Sequence, residues 1–197
     1  MQMPHKVPIY IESGFCITVA LVLLILPLRL VFAFGLAMFV HELGHFLALA
    51  MMQVNIYHIR LHGMGVEMFT ADMTRGKEFL SALAGPVSGF LLLTVARYMP
   101  CTSLIAVVQS MFNLIPIFPL DGGRALRSLL CSWLGEKRGD RVGKAVGIIC
   151  LCVITVCALY FTVRFGMLYV WAFLAVTLIL RLFRRKIPCK QRKQIVQ

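Results

Sequence analysis

Apolar runs long enough to cross a bilayer recur along nearly the whole chain, at roughly residues 9 to 28, 30 to 52, 79 to 99, 102 to 118, 146 to 163 and 165 to 183. A helix rises about 1.5 Å per residue, so about 20 residues cover a hydrocarbon core about 30 Å thick. Six such runs in 197 residues leave no room for a second soluble domain of any size. The expected fold is one membrane-embedded domain over 1–197: an all-α polytopic membrane protein with about six transmembrane helices and a small membrane-surface β-hairpin. Composition agrees, since 60% of residues are hydrophobic and only 14% are charged, against about a quarter charged in soluble domains. The first and fourth runs fit least well. One carries Glu12 and Ser13, and the other ends in Pro116 and Pro119, which cannot continue an ordinary helix.

A net charge of +12 in a soluble protein would suggest nucleic acid. Here the basic residues lie between and after the apolar runs, where phospholipid headgroups meet them, so no nucleic-acid partner is expected and the lipid bilayer is. With both termini cytoplasmic, 17 of the 20 Lys and Arg residues fall inside, leaving Arg29, Arg97 and Arg164 outside. That bias predicts a multi-pass protein of the cell membrane with both ends in the cytoplasm. His5 and Lys6 precede the first run with no small-residue cleavage site, so that run reads as a span. The seven cysteines include no CxxC pair and imply neither a disulfide framework nor a cysteine metal site. Residues 54 to 70 alternate apolar and polar around Gly63-Met64-Gly65, the pattern of a hairpin. Asp121 to Trp133 reads as a helix along the inner surface, with Arg124 and Arg127 available to lipid phosphates.

The second run contains His41-Glu42-Leu43-Gly44-His45. Residues i and i+4 share a helix face, so both imidazoles can reach one metal ion while Glu42 accepts a proton from an attacking water. His41 lies about 17 Å along the run, where an acidic side chain costs at least ~2.5 kcal/mol and usually marks a functional path. A zinc site with two histidines lacks one protein ligand. The candidates are Glu12, Glu67, Asp72, Glu78, Asp121, Glu136, Asp140, His5, His58 and His62. Asp121 is the best placed, because it follows the proline-broken inner end of the fourth run and precedes Gly122-Gly123, which let the backbone approach closely. His58 and His62 read as a solvated hairpin face.

HELGH in one run and Asn113-Leu114-Ile115-Pro116-Ile117-Phe118-Pro119-Leu120-Asp121-Gly122-Gly123 at the end of another resemble the two signature motifs of the site-2 protease family, peptidase family M50. With Ser81-Ala82-Leu83-Ala84-Gly85-Pro86 the resemblance covers about residues 30 to 130, a three-helix catalytic core, followed by a C-terminal helical pair and basic tail at about 145–197. It implies an intramembrane zinc metalloprotease with zinc ligands His41, His45 and Asp121, general base Glu42, and a substrate-contacting Asn113. It also implies a membrane-protein substrate that pairs with the hairpin as an added strand. The sequence departs from the family at Gly89, where many members have asparagine. No PDZ-like or CBS-like insertion is present, so a separate regulatory membrane protein is a further candidate partner.

Two other readings remain open on the residues alone. Glu136-Lys137-Arg138-Gly139-Asp140 matches the ExxxD pattern of membrane zincins of the prenyl-protein or heat-shock type, with Glu136 as third ligand. A non-catalytic scaffold could instead use the His-Glu-His cluster as an ion path.

Overall fold

A computed structural model describes residues 7–63 and 65–165. A short strand β1 (Ile9–Ile11) leads into α1 (Ser13–Ile25) and α2 (Leu28–Met51). The hairpin β2 (Ile56–His62) and β3 (Gly65–Thr70) follows. Next come α3 (Arg75–Leu91), prolonged by a 3-10 turn over Leu92–Val95, and α4 (Pro100–Asn113). The last described elements are α5 (Asp121–Leu134) and α6 (Glu136–Phe165). The protein is thus mostly helical with one small sheet.

The hairpin falls where alternation predicts it, with β2 and β3 antiparallel and Ile59 opposite Met68. The sheet also has a third strand. Ile9-Tyr10-Ile11, expected to open a helical span, pairs in parallel with β2, and Glu12 donates its backbone N–H to Leu61 O at 2.9 Å. β-branched and aromatic residues suit a pleated surface, and β2 supplies the partner strand.

The six expected spans are not reproduced one for one. Among the described residues, two helices are long and apolar enough to cross a membrane, Leu28–Met51 and Arg75–Val95. The strand takes the start of the first run, and Pro27 forces Leu26 into an extended conformation (φ −101°, ψ 143°) by the steric rule for residues before proline. This leaves α1 with 13 residues, about 20 Å of helix. The fourth run stops at Asn113, giving α4 14 residues, because Pro116 and Pro119 turn the chain out of the helix. The fifth run lies within the 30 residues of α6. The sixth run and the basic tail lie outside the described residues.

Small residues make the interior. Ala33, Ala37, His41, His45 and Leu49 form a buried i, i+4 row on α2. Facing helices contribute Ser81 and Ala82, then Ser103, Ala106 and Ser110. Phe32, Leu24 and Val156 point outward with 70, 83 and 67% exposure. Large apolar groups outside and small ones at helix contacts are what a lipid solvent selects, since lipid gives no hydrophobic drive between helices and association rests on close packing. Ile117 and Leu120, in the turn before α5, pack against Phe112, Ile115, Cys150, Leu151 and Ile154. That cluster fixes the turn that delivers Asp121.

Candidate metal centre

Three side chains converge where α2 meets the start of α5. His41 Nε2 lies 3.1 Å from Asp121 Oδ2, His45 Nε2 lies 3.2 Å from the same oxygen, and the two Nε2 atoms are 3.2 Å apart. All three residues are buried. Four-residue helix spacing sets the histidine pair. The aspartate sits at the first position of α5 because Gly122 lets that turn of helix press on the preceding loop: a Cβ on Gly122 would lie 2.0 Å from Leu114 O.

The donors fit a small cation. Zinc with bonds of about 2.0–2.1 Å holds tetrahedral ligand atoms about 3.3 Å apart, close to the observed edges. His45 Nδ1 donates to Ser81 O at 2.7 Å, which leaves Nε2 of the neutral ring as a lone pair aimed at the oxygen of Asp121. Facing lone pairs repel, and a cation between them removes the repulsion. Among the described residues, His41, His45 and Asp121 form the group that could hold a metal ion.

The other anticipated residues divide between the site and its surroundings. Glu42 is half-buried beside the two histidines on α2. Asn113 Nδ2 lies 3.2 Å from His41 Nε2, so the amide borders the triad. Glu136 is not there. Its carboxylate accepts from Arg75 Nε at 2.7 Å and is 61% exposed. His58 stacks on Phe69, ring centroids 4.1 Å apart, with Tyr10 edge-on at 5.6 Å. At the departure noted above, Ser110 fills the space beside Gly89: a Cβ there would lie 2.1 Å from Ser110 Oγ. Ser88 is occupied otherwise, donating to Val40 O and Gly85 O at 2.9 and 2.7 Å.

Two contacts at the site escaped the sequence reading. The Ser81 carbonyl that orients His45 is a backbone group, and no residue-type pattern marks it. Arg124, expected at lipid phosphates, lies 3.7 Å from Asp121 Oδ1; its i, i+3 spacing was the available signal. Arg127 likewise turns to protein, donating to Asp140 Oδ1 at 2.8 Å.

The class so defined is a mostly helical protein with a buried His-His-Asp triad, carried on two helices, that could hold a metal ion. Comparison with known proteins narrows it. Residues 76–157 match the model of peptidase family M50. A zinc metalloprotease of Methanocaldococcus jannaschii is 30% identical over 121 residues, 54% of this chain and 36% of that protein. The chain therefore spans about a third of the length of this curated relative. The solved structure of a site-2 protease from M. jannaschii superposes with a TM-score of 0.60 at 24% identity, over 93% of this chain and 91% of that one. Residues 76–157 are thus similar to peptidase family M50, and the chain shares its fold with a site-2 protease.

Proposed function

We propose that the protein is an intramembrane zinc metalloprotease that hydrolyses a peptide bond in or next to a transmembrane segment of a membrane-bound substrate. The observation that carries this reading is the convergence of His41 Nε2, His45 Nε2 and Asp121 Oδ2, with Glu42 on the next position of the same helix. A zinc ion bound by these three would polarise the scissile carbonyl and make an attacking water more acidic. Glu42 then accepts the proton of that water as its oxygen adds to the carbonyl carbon, and delivers the proton to the amine nitrogen as the C–N bond breaks and the amine departs. Asn113, beside His41, donates its amide to the carbonyl oxygen of the residue under attack. A helical substrate keeps its carbonyls in backbone hydrogen bonds, so it has to unwind first, and an extended stretch is held as an added strand on the sheet. The protein works in the cell membrane with both termini in the cytoplasm, on a membrane-protein substrate and with a separate membrane protein as regulator.

The test is a pair of substitutions in the purified chain. Glu42→Gln removes the proton acceptor alone, so metal content should stay at the wild-type level while cleavage of a membrane-protein substrate is lost. His41→Ala or His45→Ala should lose the metal as well. Cleavage at the wild-type rate by Glu42→Gln would overturn the assigned role.

A further inference from the structure

The carboxylate of Asp121 is shared between two partners on opposite sides. Oδ2 faces His41 and His45 at 3.1 and 3.2 Å, whereas Oδ1 faces Arg124 Nη1 at 3.7 Å. Arg124 lies three residues further along α5, on the same helix face as Asp121, and its side chain is 37% exposed while that of Asp121 is 12% exposed. The cation therefore reaches in from the rim to a buried anion. A buried carboxylate without a charged partner is costly, and the guanidinium supplies a fixed positive charge beside Oδ1.

We infer that Arg124 is a positioning residue: it holds Oδ1 away from the triad, so that Asp121 offers a metal ion one oxygen and not two. The backbone of Asp121 is fixed by the packing at Gly122, but nothing in that packing sets the rotation of its carboxylate about χ2, a broad and roughly two-fold torsion. The imidazoles attract either oxygen equally. Arg124 breaks the symmetry, because one oxygen paired with the guanidinium leaves only the other for the histidine side. The consequence is chemical. A carboxylate that chelates through both oxygens fills a coordination position that a hydrolytic site has to leave open for water and substrate. Mutation of groups that orient metal ligands typically costs about 10- to 100-fold in affinity or activity.

The inference rests on the metal reading above, and cobalt(II) titration of the purified chain separates the two. Four-coordinate cobalt absorbs visible light far more strongly than five- or six-coordinate cobalt. The wild-type chain should bind cobalt with the intense spectrum, and His41→Ala should lose the bound metal. If the wild-type chain takes up no cobalt, or His41→Ala retains it, the metal reading falls and this inference with it. Given cobalt-binding wild type, Arg124→Met and Arg124→Gln should each bind cobalt with a weak spectrum and cleave about 10- to 100-fold more slowly. Arg124→Lys, which keeps the charge at similar reach, should retain the intense band. Arg127→Met is the control, since Arg127 pairs with Asp140, and its spectrum should match wild type. An undiminished band in both charge-removing variants would overturn the inference while leaving the metal site intact.

Discussion

Gly85 makes plain why a single methyl group matters at this site. A Cβ at that position would lie 2.2 Å from His45 Nε2, the atom aimed at Asp121. Side-chain carbon cannot come so close, so Gly85→Ala has to push either α3 or the imidazole away. Overpacking of this kind costs about 1–3 kcal/mol, and a misplacement of about 1 Å at a reacting centre costs about 100-fold in rate. We expect Gly85→Ala to fold with a lowered melting temperature, to hold metal weakly and to cleave about 100-fold more slowly. Wild-type metal affinity in that variant would show that α3 yields instead of His45. At this scale the sequence was legible where function is periodic: His41 and His45 are one turn apart, and Asp121 announces itself through its prolines and glycines. It was not legible where a contact crosses between elements. The Ser81 carbonyl reaches His45 across 36 residues of sequence, and no spacing rule predicts such a pair.

Among the elements, the corner between α5 and α6 decides between rival third ligands. Gly135, with φ +78°, ends α5 in a backbone conformation that favours glycine, and the chain turns straight into α6. Salt bridges tie the corner down: Arg75 pairs with Glu136, Arg127 with Asp140, and Lys144 with Asp140. Glu136 therefore serves α3–α6 packing on an exposed surface, where an ion pair is worth about 0–1 kcal/mol. Glu136→Ala should lower stability by no more than that and leave metal content unchanged, while Asp121→Ala should lose metal and cleavage together. Metal retained in Asp121→Ala but lost in Glu136→Ala would restore the ExxxD reading. Elements were legible from apolar runs and alternation, so the hairpin and α5 lie close to their expected bounds. The failures are at Ile9–Ile11 and at the end of α4. A three-residue strand exists only because β2 is beside it, and run length alone does not register where proline interrupts a helix.

Taken whole, the molecule has a polarity that can be tested from either face of a membrane. Among the described residues, α2 and α3 with its 3-10 turn are the two helices of spanning length, and the hairpin joins them, so they run in opposite directions. Lys77 donates to Met52 O at 2.8 Å, which fixes the start of α3 beside the end of α2. Arg60, Arg75 and Lys77 thus belong to the hairpin end of this pair, while Arg29 opens α2 and Arg97 follows Val95 at the opposite end. By the positive-inside rule we expect the hairpin end in the cytoplasm, together with the basic α5–α6 corner that carries Lys137, Arg138 and Arg141. The prediction follows for single cysteines introduced into a cysteine-free background. In sealed right-side-out vesicles, a membrane-impermeant thiol reagent should label Arg97→Cys at once and Lys137→Cys only after permeabilisation; both positions are exposed in the structure. The reverse order would invert the topology and put the metal triad near the outer face. Labelling of both from one side would mean that α3 does not carry the chain across the bilayer.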